Sequence, residues 1–172
     1  MSPPPPHSYD NANTLPLRQA LGEFATGVAI VTARGADGSP VGLTVNSFAS
    51  VSLAPPLVLW SLGLGSTSLA SFRNATHFAV NVLTSAQIDL SQRFAQSRAD
   101  KFEGIAWQPG LGGTALLPDC GAWFECATET RHEGGDHMIF IGRVEQFRRS
   151  TTMPVASPLI FHRGAYAALI PR

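Results

Sequence analysis

Apolar residues at Leu17, Ala20, Leu21 and Phe24 recur at helical spacing, behind Thr14, a helix-capping residue type, and Pro16, which suits a first turn. The spacing predicts a helix that Gly27 ends. The pattern then changes to β-branched and aromatic runs at 28–32, 41–51 and 57–62, separated by the turn formers Ala36-Asp37-Gly38-Ser39-Pro40 and Ala54-Pro55-Pro56. The first two runs predict a hairpin. Residues 68–74 read as a short helix and 77–83 as a strand. The segment after Ser85, with Ile88, Leu90 and Phe94, reads as an amphipathic helix. Residues 96–118 are polar and rich in glycine, with Gly110, Gly112 and Gly113; a connection this long in a compact domain is usually functional, which makes it a candidate lid. Strand patterns return at 122–130, 138–147, 158–161 and 165–169. Many short strands, few short helices and no regular βα alternation predict a mainly β fold, an antiparallel barrel rather than a doubly wound sheet.

Composition sharpens this picture. The 172 residues suffice for one domain, placed at 14–172 behind a proline-rich lead-in at 1–13 that is expected to be disordered. That lead-in has neither the basic stretch nor the apolar run of a signal peptide. Twelve Lys plus Arg balance twelve Asp plus Glu, so the chain lacks the basic field that nucleic acid or an anionic membrane requires. With 14% charged against 44% hydrophobic residues, part of the apolar surface is expected to be buried against a second copy of the chain. Cys120 and Cys126 lie six residues apart in a strand-like segment, roughly 20 Å at about 3.3 Å per residue. That is too far for a disulfide. Both are expected to be reduced, partly buried thiols of a cytoplasmic protein, and no spacing of His and Cys suggests a metal.

Three absences narrow the chemistry: no GxGxxG opens a helix, and neither GxxxxGK[ST] nor GxSxG occurs. Rossmann dehydrogenases, P-loop enzymes and α/β-hydrolases fall away. Gly63-Leu64-Gly65-Ser66-Thr67-Ser68 places two glycines and three hydroxyls before a helix, which serves either as a plain N-cap or as a phosphate cradle. Gly42-Leu43-Thr44-Val45-Asn46-Ser47-Phe48 mixes polar and apolar groups, as a site gripping a flat heteroaromatic ring requires, and equally as a bulge or solvent-facing edge would. In Gly134-Gly135-Asp136-His137 the glycines allow close approach of a ligand to backbone, with a histidine at the rim; a turn histidine is the plainer alternative.

Read in order, five blocks resemble the short-chain flavin reductases, the reductase components of two-component flavin-dependent monooxygenases. They are ATGVAIVTARGADGSPVGLTVNSFASVSLAPPLVLWSL, FAVNVLTSAQIDLSQRFA, DKFEGIAW, GDHMIFIGRVE and PLIFHRGAYAAL, and the resemblance runs from Leu17 to Leu169. It implies a split β-barrel, a Greek-key antiparallel barrel of flavin reductase-like type, working as a homodimer with FMN or FAD near the subunit interface. By the same resemblance Thr44, Val45, Asn46 and Ser47 form the strip along the isoalloxazine and ribityl chain. Ser66 and Ser68, with Thr67 between them, meet the flavin phosphate, and Lys101 and Phe102 lie in a loop beside the flavin. His137 stands near the nicotinamide, placing the dinucleotide rather than moving a proton, and Arg163 and Tyr166 come from the C-terminal block. Two positions depart from the family pattern: Ala54 where Asp is frequent, and Phe161 where Tyr is frequent.

The implied activity is transfer of a hydride from NADH or NADPH to FMN or FAD, with reduced flavin passed to a separate monooxygenase; the lack of a basic cluster for a 2′-phosphate favours NADH. A non-catalytic flavin-binding module and an FMN-bound reductase of another acceptor are the alternatives.

Overall fold

A computed structural model describes residues 13–151 and 157–169. The expected lead-in at 1–12 lies outside the described residues. The first helix, α1 (Leu15–Gly22), ends before Gly27, and Thr14 makes no side-chain cap; the Asn13 carboxamide oxygen accepts from the Leu15 N–H instead, at 3.3 Å. Gly27 belongs to a two-residue strand, β1 (Thr26–Gly27), whose pairing with the C-terminal segment overrides the helical periodicity. The predicted hairpin forms from β2 (Ala29–Arg34) and β3 (Pro40–Val45), and Asp37 Oδ1 accepts from the Ser39 N–H and hydroxyl in its turn.

The run at 41–51 is not one strand. It breaks at 46–48 and resumes as β4 (Ala49–Leu53), hairpinned to β5 (Pro56–Gly63). The break has a topological cause. With β6 (His77–Val82), β9 (Ala122–Gly134) and β10 (His137–Arg149), these strands form an antiparallel sheet of order β3-β2-β6-β9-β10-β5-β4, so 46–48 must carry the chain from one edge to the other. The Ser47 hydroxyl accepts from the Ser61 N–H at 3.0 Å and donates to the Ser61 carbonyl at 3.3 Å, fastening the crossing link to β5 and curling the sheet into a barrel.

Inside the barrel Trp60 stacks on Phe140, ring centroids 4.4 Å apart, and meets Phe72 and Phe78 edge-on. Val31, Val45, Val58, Val80 and Cys126 complete this core. The opposite face of β2 and β6 buries Ile30, Leu83, Phe94, Leu117, Cys120 and Leu159 in a second cluster under α3 (Ile88–Ala95), which follows the short helix α2 (Leu69–Asn74) in the chain. The two thiols are free, and burial pushes each up to about 12. A small sheet of β1, β11 (Ile160–His162) and β12 (Ala165–Ala167) closes one end.

The segment at 96–118 is not a lid along its whole length. Its second half forms the strand pair β7 (Gln108–Pro109) and β8 (Ala115–Leu116) and is built into the barrel wall. Thr32 Oγ1 and Asn81 Nδ2 donate to the Ala115 carbonyl, the Leu117 N–H donates to Asn81 Oδ1, and residues 114–117 are buried. These buried hydrogen bonds of Thr32 and Asn81 hold the connection in place.

Candidate functional site

The first half of that segment, folded back over β3, makes one wall of a cleft of ≈ 350 Å³. Arg93, near the end of α3, donates to the carbonyls of Asp100, Lys101 and Glu103 at 2.9, 2.7 and 2.5 Å, which sets the path of the loop. Lys101 then reaches inward: Nζ donates to the Gly42 carbonyl at 3.1 Å and to the Phe94 carbonyl at 3.0 Å. Burial lowers its pKa, and two of its three protons are engaged, so one remains to face the cleft. Phe102 packs edge-on against Phe94, centroids 4.9 Å apart. A Cβ on Gly42 would stand 3.0 Å from the Phe94 ring and 3.3 Å from Phe102, so the missing side chain permits this close approach.

The opposite wall is the end of the Gly63–Ser68 loop. Thr67, Ser68 and Ser71 line it. Ser68 occupies the N-cap position of α2 but makes no side-chain cap; its N–H donates to Ser66 Oγ at 3.3 Å. The plain-cap alternative is therefore not how these hydroxyls are used. Arg98 also lines the cleft and is paired with Asp100, which holds the Asp100 carboxyl down at about 2. An ammonium, a guanidinium and the hydroxyls of Thr67, Ser68 and Ser71 thus meet in one concave site, a donor set that suits a phosphate.

The Gly63–Ser68 loop also reaches the histidine turn. His137 opens β10 directly opposite Gly63, and the Leu64 N–H donates to the Asp136 carbonyl at 2.8 Å. His137 Nδ1 lies 2.6 Å from Asp136 Oδ1, and this hydrogen bond lowers the Asp136 pKa. An ionised carboxylate only accepts, so Nδ1 carries the proton and Nε2 is left for another partner.

The remaining positions divide. Val45 points into the barrel core. Thr44 Oγ1 donates to the Ser91 carbonyl at 2.7 Å, and Ser47 is occupied with Ser61. Asn46 is exposed at the crossing link. Tyr166 donates to Ser91 Oγ at 2.9 Å, so Thr44 and Tyr166 meet on α3 rather than in the cleft. Arg163, at φ 50°, grips the Glu23 carboxylate at 2.7–3.0 Å and does not line the cleft either. Reading the sequence missed Arg98 and Ser71; the run Arg93–Lys101, with three basic residues, was the available signal for the first.

Residues 21–169 match the family described as flavin reductase like domain. Over 150 residues the chain is 43% identical to the flavin-dependent trigonelline monooxygenase, reductase component, of Acinetobacter baylyi, covering 87% of this chain and 47% of that protein. It is 43% identical over 154 residues to the FMN reductase (NADH) SmoA of Agrobacterium fabrum, covering 90% and 85%. The structure of the NADH:FAD oxidoreductase SgcE6 of Streptomyces globisporus superposes with a TM-score of 0.86 at 35% identity, covering 99% of this chain and 96% of that one. The chain therefore spans about half the length of some relatives, such as the Acinetobacter protein, and most of the length of others. With the match extending from α1 to β12, the chain belongs to the flavin reductase family.

Proposed function

We propose that the protein is an NADH-dependent flavin reductase that passes reduced FMN or FAD to a separate flavin-dependent monooxygenase. The observation that carries this reading is the cleft in which Thr67 and Ser68 face Lys101, Arg98 and Phe102. Those residues fit a flavin: cations and hydroxyls for its phosphate, and the free edge of β3 with the exposed Asn46 for the polar rim of its ring. Names of relatives agree, since one is the reductase component of a monooxygenase and another an FMN reductase (NADH).

When bound, a flavin would supply the redox chemistry, as acceptor of the hydride equivalent that the nicotinamide gives up. The chain's own residues bind and orient. Lys101, Arg98, Thr67 and Ser68 would hold its phosphate, and Ser47, tied to Ser61, keeps the 46–48 link fixed beside β3. His137, its Nδ1–H held by Asp136, offers Nε2 to the nicotinamide carboxamide. Thr44, Arg163 and Tyr166 serve this site as supports of β3, α1 and α3 rather than as ligands. The exposed Leu53 and Phe147, 92% and 72% accessible, favour a homodimer. No helix among the described residues is long and apolar enough to cross a membrane, and the two reduced thiols accord with action in the cytoplasm.

The test is nicotinamide absorbance of the purified protein with NADH, with and without FMN or FAD. Oxidation that depends on added flavin and saturates with it is the expected result. Flavin binding with no oxidation of NADH or NADPH would leave a binding module instead.

A further inference from the structure

Beyond Ser71 the fold leaves a second cavity, ≈ 440 Å³, lined among others by Arg34, Asn74, Thr76, His77 and Gly112. We propose that this cavity receives the adenylate half of FAD, with Arg34 on its phosphate, so that it sets the preference for FAD over FMN. The proposal rests on the flavin reading of the neighbouring cleft.

Ser71 lines both spaces. Ser68, Ser71 and Asn74 follow one another at three-residue spacing along α2, the first in the cleft, the second shared, the third in the cavity. Successive members are separated by about 4.5 Å along a helix axis. The three side chains therefore form a row from the cleft, through the shared Ser71, to the cavity. FMN ends at one phosphate; FAD continues with a second phosphate, a ribose and adenine, which need a further site in this direction.

Arg34 is prepared to receive an anion. It ends β2, and its side chain makes no hydrogen bond or ion pair with the described residues, whereas Arg73, Arg98, Arg148 and Arg163 each hold a carboxylate. Its position is nevertheless defined. A Cβ on Gly113, at φ 77°, would lie 2.8 Å from Arg34 Cδ, and one on Gly38 would lie 3.2 Å from Nη2. A Cβ on Gly112, at φ 63°, would stand 2.7 Å from the His77 ring. The glycines of the 110–113 segment, without a role in the flavin cleft, thus make room for the two side chains that furnish the cavity. A planar guanidinium with free donors suits phosphate, and the Asn74 amide and His77 ring can hydrogen-bond a ribose or a base.

An adenylate also occurs in NADH, so the experiment separates the two sources. Arg34→Gln and Arg34→Lys are made in the full chain; the site is exposed and unpaired, so neither should disturb folding. FMN and FAD are titrated by fluorescence without nicotinamide, and KM for NADH is measured at saturating FMN. We expect the unaltered protein to bind FAD more tightly than FMN, Arg34→Gln to weaken FAD about tenfold with FMN changed less than about twofold, and Arg34→Lys to recover part of the loss. No change for FAD, or equal changes for both flavins, overturns the proposal while leaving the flavin cleft intact. A rise in KM for NADH with FAD binding untouched overturns it too, and assigns the cavity to the nicotinamide dinucleotide. Failure of the unaltered protein to bind either flavin overturns the reading of the cleft itself, and this proposal with it.

Discussion

Lys101 joins the site to the scaffold, because its ammonium is tied to carbonyls of β3 and α3 while one proton stays available. Lys101→Gln should raise the flavin dissociation constant about tenfold, read by fluorescence titration, as loss of one charge-assisted contact implies. The neighbouring pair Arg98–Asp100 gives a pH signature. The hydrogen bond from Arg98 holds the Asp100 carboxyl down at about 2, below the ordinary carboxylate range, so the folded state binds fewer protons than the unfolded one. The pairing is fully present above the ordinary carboxylate range and is lost as pH falls through about 2. The carboxyl resonance of Asp100 should therefore titrate well below that of a free aspartate. The thiols shift the opposite way: burial raises Cys120 and Cys126 from 9.0 to about 12, so the neutral thiols' contribution to stability is complete below about pH 9 and lost as pH rises toward 12. At pH 8 neither should react with a thiol reagent in the native protein, and both should react in denaturant.

At the scale of the element, β10 shows how tightly the barrel is drawn. Gly142 follows a register shift between β9 and β10, and a Cβ there would lie 2.3 Å from Phe78 Cζ and 3.0 Å from Cys126 Cβ. Gly142→Ala should cost about 1–3 kcal/mol through overpacking. Calorimetry should record a Tm lower by several degrees. Glu125 performs a different task on β9: buried, it takes the Leu111 N–H on Oε2 at 2.7 Å and Arg148 on Oε1 at 3.1 Å, fastening the 108–116 segment to the barrel. Glu125 is the reason the second half of the expected lid is wall. Periodicity indicated the strands themselves, since Val58, Trp60 and Leu62 alternate inward along β5. It could not indicate where 41–51 breaks, because Asn46 and Ser47 suit a strand as readily as a crossing link.

Over the whole molecule, α1 buries no residue and Phe24 beside it is 79% exposed, while β4, an edge strand, presents Val51 and Leu53. An open edge with apolar side chains invites pairing with another chain. If the proposed homodimer pairs through this edge, Leu53→Lys should shift it from dimer to monomer in sedimentation at micromolar concentration; a dimer unchanged by the substitution would move the interface to the α1 or Phe147 surface.

Mainly β architecture and the longer strands were legible in the chain, while the Gly63–Ser68, Lys101 and His137 segments were singled out by their residue types and by the resemblance to a family. Alternation and turn chemistry are local, and local patterns are written in the sequence. What the tertiary structure decided is nonlocal. It placed Ser68 opposite Lys101, turned Thr44 and Tyr166 toward Ser91, drew Arg163 to Glu23, and left Arg34 unpaired beside His77. Each of these is set by sheet closure between residues distant in the chain, a three-dimensional constraint that side-chain spacing does not encode.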